Sequence, residues 1–215
     1  MTAIPFGLLH PEDDEDRLRQ LGLTTEEVSK AVERGIVERM NCTLFDPPSY
    51  PGVVQWARTV RDLRETLVPN GWRADNTRNF STVVSPNELV AIAVSTGDER
   101  TGREGDPEPR TKYPKGTVFL AAVNRNVQLS LFGEMIIDAD GAVLSKTRTW
   151  TLLMRTDAVT KEVRVELSLP AQIGDDGRVI AWSERIIFTP FSFGDTLPGD
   201  DDPPIEGIDV PVEPI

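Results

Sequence analysis

Residues 162–169, EVRVELSL, alternate strictly: Val163, Val165, Leu167 and Leu169 fall on one side, Glu162, Arg164, Glu166 and Ser168 on the other. Side chains of a strand alternate between faces, so a period of two with one apolar side describes a half-buried strand. One-sided alternation predicts an antiparallel sheet with one dry face and one wet face. The same period runs through NFSTVV and LVAIAVS, separated by SPNE, which together read as a hairpin. GTVFLAAV, QLSLFGEMII, AVLSKTRTWTLLMR, KEVRVELSLPAQI and RVIAWSERIIFTPF extend the series to about seven strands. Asp140-Gly141 and Asp176-Gly177 supply turn chemistry suited to tight antiparallel reversals.

Upstream the period is helical. In residues 24–40, Thr24 and Glu27 have capping-box spacing, and Val28, Ala31, Val32, Ile36 and Met40 share a face. A shorter helix in PEDDEDRLRQLG precedes it and ends near Gly22. The pair resembles the start of a helix-turn-helix, but a capped amphipathic pair is more commonly packing. After DPPSYPG comes another helix, with Ser49 as its cap and Val53, Trp56, Ala57, Val60, Leu63 and Leu67 at helical spacing, ending at Pro69-Asn70-Gly71. Arg58, Arg61 and Arg64 lie three apart on its outer face, where Asp62 and Glu65 accompany them.

These patterns predict an α+β protein: a helical N-terminal region, 1–72, packed on an antiparallel β domain, 73–193. Within the latter, residues 96–116 form a long polar stretch expected to be a mobile loop. Its Lys112 and Lys115 suggest phosphate binding, although the phosphate-loop spacing is missing. Residues 194–215 are rich in Asp and Pro and read as a disordered acidic tail.

Charge narrows the function. The net −12 is concentrated at the two ends: residues 1–50 carry ten acids against five bases, and 194–215 carry seven acids and no base. Such a chain is not expected to bind nucleic acid directly. No apolar run is long enough for a membrane span, and the leading residues lack the basic start of a signal peptide. The single cysteine, Cys42, excludes an internal disulfide and suits a reducing compartment, so a cytoplasmic location is expected.

Catalytic parts are sparse. One histidine, His10, and one cysteine leave no Ser-His-Asp or Cys-His arrangement and too few ligands for zinc. Asp138 and Asp140 are a conceivable magnesium pair, but aspartates around a glycine are first of all turn residues. No catalytic residue, metal site or cofactor is therefore expected, and a binding protein is favoured over an enzyme.

One short segment is more specific. Residues 128–132, QLSLF, resemble without departure the pentapeptide QL[SD]LF by which many bacterial replication and repair proteins dock on the β sliding clamp. The resemblance covers five residues of 215. It implies an extended peptide in an apolar clamp pocket. Gln128 would be the hydrogen-bonding anchor, Leu131 and Phe132 would fill the pocket, Leu129 would be a lesser contact and Ser130 a spacer. The implied function is a non-enzymatic accessory or mobile-element protein of DNA replication, with the sliding clamp as partner. The alternative is an interaction domain of unknown partner in which QLSLF is an ordinary strand. An acidic DNA mimic comes third and a divalent-metal hydrolase fourth.

Overall fold

In the computed structural model, which describes residues 11–132 and 146–193, four helices surround one seven-stranded sheet. Helices α1 (Pro11–Gln20), α2 (Thr25–Met40) and α3 (Tyr50–Leu67) come first. Strands β1 (Arg73–Asp75), β2 (Thr82–Val84) and β3 (Val90–Thr96) follow, then α4 (Thr117–Phe132). The chain continues with β4 (Arg148–Asp157), β5 (Glu162–Ile173), β6 (Val179–Ile187) and β7 (Phe191–Ser192). The α+β class is as the sequence indicates. The acidic tail, His10, Asp138, Asp140 and the Asp140-Gly141 turn lie outside the described residues.

The sheet runs β1-β2-β3-β4-β5-β6, with β7 extending the outer edge along β5. Every neighbouring pair is antiparallel except β3 and β4. A parallel pair needs a crossover. Here it comprises the 97–116 segment, α4 and the residues that follow. GTVFLAAV and QLSLF, expected as two strands of a meander, are instead this one helix. Its inward residues, Phe119, Ala122, Val123, Asn126 and Leu129, are spaced three, one, three and three apart, which is a helical stripe. The polar Asn126 in the middle of that stripe hides it in a hydropathy reading.

Asn126 also explains why α4 docks where it does. The β4–β5 ladder begins at Thr151 opposite Ser168, and beyond it Pro170 has no N–H to donate. The Asn126 amide fills the gap. Its Nδ2 donates to the carbonyls of Thr149 (2.9 Å) and Pro170 (3.3 Å), and its Oδ1 accepts from Thr149 N–H (2.9 Å).

The main core lies between the sheet and α1–α3, where Val163, Val165, Leu167 and Leu169 meet Trp150, Leu152 and the apolar stripe of α2. The capping box of α2 forms as expected, with Glu27 N–H donating to Thr24 Oγ1 at 3.2 Å and Thr24 N–H to Glu27 Oε2 at 2.9 Å. Ser49 does not cap α3 by its side chain. Helices α2 and α3 approach closely at Gly35. A Cβ there would sit 2.2 Å from Thr59 Oγ1 and 2.8 Å from the Gln55 carbonyl oxygen.

The second face of the sheet is not wet. Arg164, Glu166 and Ser168 on β5 are all buried, because α4 and the 97–116 segment cover them. Glu166 is fully buried and accepts four hydrogen bonds: from Arg185 Nη2 (2.6 Å) and Nε (3.2 Å), Ser168 Oγ (2.8 Å) and Gly102 N–H (2.9 Å). The last of these ties the segment expected to be a mobile loop to the sheet. Trp182 ties it further, its indole donating to the Pro109 carbonyl (2.8 Å), and within the segment the Asp98 carboxylate accepts from the N–H groups of Arg100 and Arg110 (3.0 Å each). A buried, fully hydrogen-bonded carboxylate and a buried indole make this an ordered part of the domain.

Candidate functional site

QLSLF forms the last turn of α4, and this sets its exposure. Leu129 is 2% exposed and belongs to the buried stripe, whereas Leu131 is 71% exposed and Gln128 is also outward. Ser130 is exposed, and its hydroxyl donates back to the Asn126 carbonyl at 3.0 Å. The backbone of Phe132 ends the helix. A strand would put Leu129 and Leu131 together on one side. The helix separates them, because neighbours two apart lie on different sides of a 3.6-residue turn.

The arginines of α3 and Cys42 are occupied by structural duties. Arg58 pairs with Asp62 (2.6 Å) and Arg61 with Glu65 (2.7 Å), both one helical turn away. Arg64 Nη2 donates to the carbonyls of Asp75 and Thr82, each at 2.8 Å, clipping α3 to the start of the sheet. The Cys42 thiol donates to the Glu38 carbonyl at 3.7 Å, and burial, then Asp46, push its pKa up, away from thiolate chemistry. Among the described residues no group of three His, Cys, Asp or Glu is placed to hold a metal ion. No described helix is long and apolar enough to cross a membrane.

A site that the sequence did not disclose lies where β3 outruns β2. The register pairs β2 only with Ala91–Ala93, leaving Val94 and Ser95 without a strand neighbour on that edge. Trp56 of α3 covers the gap, its indole N–H donating to the Val94 carbonyl at 3.0 Å. Further on, Lys112 N–H donates to the Thr96 carbonyl (2.9 Å), and the chain then turns back through Tyr113 and Pro114 to Lys115. Between these elements is a cleft of about 290 Å³ with apolar walls from Val53, Trp56, Val94 and Tyr113.

Among the described residues the one cationic group lining that cleft is Lys115. Its ammonium donates to Ser95 Oγ, and the ring of Phe119 lies 5.7 Å from it. Among the described residues no carboxylate lies in ion-pair range of Lys115, unlike most arginines of the domain. Burial lowers its pKa from 10.5 to about 8. A narrow crevice bordered by Arg39, Lys112 and Arg155 shares Gly52 and Thr96 with the cleft. In sequence, Lys115 is legible only as one of two lysines that suggest phosphate binding in a polar stretch. Its partner Ser95 is twenty residues away, and no spacing rule links them.

No protein-family model matches the chain, and neither a curated protein nor a solved structure is detectably similar to it.

Proposed function

We propose that the protein is a cytoplasmic accessory or mobile-element protein that docks on the bacterial sliding clamp through Gln128–Phe132. The observation that supports this reading is the conjunction of an unbroken QLSLF with outward-facing Gln128 and Leu131 at the very end of α4. Gln128 and Leu131 are two of the residues that the resemblance casts as principal anchors, and Leu129, which is buried, is the lesser one.

Docking in this form requires the last helical turn to open. Three residues span roughly 10 Å when extended but rise only about 5 Å in a helix, so the anchors reach two pockets of an extended-peptide groove only after unwinding. Withdrawing Leu129 from its packing costs about 2–3 kcal/mol, of which contact with the clamp returns a part. A micromolar complex has about 8 kcal/mol of binding free energy, enough to bear that cost. A free peptide carrying residues 126–134 therefore binds the clamp more tightly than the folded chain, by about tenfold or more.

The test is calorimetric titration of the purified chain with a bacterial sliding clamp, beside Gln128→Ala and Leu131→Ala variants whose folding is checked by circular dichroism. Micromolar binding by the wild type, lost in both folded variants, is expected. Absence of binding by the chain and by the peptide alike would sink the proposal.

An interaction domain for another protein partner is the second reading, favoured by Leu44 and Phe45, which stand 91% and 100% exposed in the α2–α3 connection. The DNA-mimic alternative draws no support from the described surface, where Glu15 and Asp16 pair with Arg19, and Glu65 with Arg61, instead of forming an acidic face.

A further inference from the structure

We infer that the cleft between α3 and the free edge of β3 is a binding site for a small organic carboxylate with an apolar body, its charge held by Lys115 and Ser95. The reasoning starts from an imbalance. A lysine drawn out of water retains its charge at neutral pH only at a cost, which a neighbouring carboxylate normally offsets. Lys115 has none among the described residues, and its hydrogen-bond partner there is the neutral hydroxyl of Ser95. An ammonium carries three donors, so two remain for a ligand.

Three further features of the cleft favour an anion. Helix α3 begins there, at Tyr50, with no acidic residue in its first turn and no side-chain cap, and its first-turn residues Gly52 and Val53 line the space. The adjoining crevice is bordered by three more basic residues, Arg39, Lys112 and Arg155. Among the described residues no acidic side chain lines either space.

The walls select the remainder of the ligand. Trp56, Tyr113, Val53 and Val94 present an apolar surface, and the volume of about 290 Å³ is at the lower end for a small-molecule pocket. A mono-aromatic or short-chain carboxylate fits those dimensions. Its carboxylate would accept from the Lys115 ammonium, with its ring or chain against Trp56. Binding favours the charged amine, so affinity falls as pH rises past about 8, where the free lysine loses its proton. Other titratable groups lie nearby. Tyr113 shares the cleft with Lys115, and Lys112 lies 5.4 Å over the Tyr113 ring. No residue that α3 or β3 contributes to the walls is titratable, and the α4 residue beside Lys115 is Phe119. Asp176, in the turn packed beside Pro114, is engaged by Arg110 (2.7 Å) and Arg178 (3.4 Å).

Trp56 makes the test direct. It is 37% exposed, whereas Trp72, Trp150 and Trp182 are buried, so its indole reports on this cleft alone. Benzoate is titrated into the ¹⁵N-labelled full chain at pH 7 while the four indole N–H resonances are followed, with benzamide as the neutral control. A saturable shift confined to Trp56 is expected, with a dissociation constant of about 1 mM or tighter. The shift weakens at least tenfold at pH 9.5 and in a folded Lys115→Met variant. Ser95→Ala gives a smaller loss. Equal binding of benzamide, undiminished binding by Lys115→Met, or no saturation by about 20 mM benzoate would each overturn the assignment. Clamp titrations are independent of this site, because α4 presents QLSLF at its opposite end.

Discussion

Replacing Lys115 by methionine removes one positive charge and keeps an unbranched side chain of similar length, so its effect isolates the cost of the buried ammonium. The lysine titrates near 8 in the folded chain, against 10.5 for an exposed one, and burial alone causes the difference. Each unit of displacement corresponds to about 1.4 kcal/mol, so at neutral pH the folded state bears about 3 kcal/mol for keeping this amine charged. Ser95 Oγ loses one donor in the variant, a loss of about 1 kcal/mol. Lys115→Met is therefore expected to be more stable than wild type by about 2 kcal/mol at pH 7. The sign depends on pH. Between about 8 and 10.5 the unfolded chain holds the proton that the folded chain has released, so wild-type stability rises with pH across that window. The variant lacks this dependence, so its advantage shrinks from pH 8 upward, is gone by about pH 10, and gives way to a small deficit from the lost Ser95 donor above that. Urea melts of both proteins at pH 6.5, 8, 9.5 and 10.5 measure the difference. A variant less stable at pH 7, or a difference that does not change with pH, would refute the account of Lys115 as a desolvated cation without a counter-charge.

Glu166→Gln should cost about 3–5 kcal/mol in the same melts, since it leaves Arg185 beneath the 97–116 segment without its carboxylate. Hydrogen exchange at Gly102 and its neighbours should rise with it; a loss below about 1 kcal/mol would mean that the carboxylate is not the anchor of that segment. Gly35→Ala should destabilise by about 1–3 kcal/mol, and adding Thr59→Ala should recover only part, because the Gln55 carbonyl still meets the new methyl. Full recovery in the double variant would contradict the close backbone approach of α2 and α3. Ser130→Asp keeps the docking pattern as QLDLF but sets a negative charge at the C-terminal end of α4, which frays that turn by about 0.3–1 kcal/mol. If docking requires unwinding, the variant binds the sliding clamp about two- to fivefold more tightly; weaker binding would argue for recognition of an intact helix.

Where the residues that touch are close in the chain, the sequence is legible. The capping box of Thr24 and Glu27, the stripe of α2 and the alternation of β5 are local patterns, and each forms as its spacing indicates. What misleads is what arrives from far away. Glu166 and Arg164 mark a wet face by every local rule, yet α4 and a segment tied by Gly102 bury them, with Arg185 supplying the counter-charge across a neighbouring strand. Residues 117–132 favour strand composition, and their helical stripe runs through Asn126, a residue that looks like loop until Pro170, more than forty positions later, leaves a gap in the ladder for its amide. The candidate site follows the same logic. Ser95 ends an ordinary strand and Lys115 ends an ordinary polar stretch. Only the late start of β2 and the crossover that returns the chain along β3 bring hydroxyl, ammonium and the Trp56 wall into one cleft. QLSLF is the converse case. Its five letters are fully legible as a docking pattern, while its helical state is fixed by the contacts of Leu129 and Asn126 with β4 and β5 and not by the letters themselves. The strength of those two contacts therefore governs whether the segment is available to a partner. Weakening them by fraying the helix end, as Ser130→Asp does, is the change that separates a docking peptide held in reserve from a helix that merely spells one.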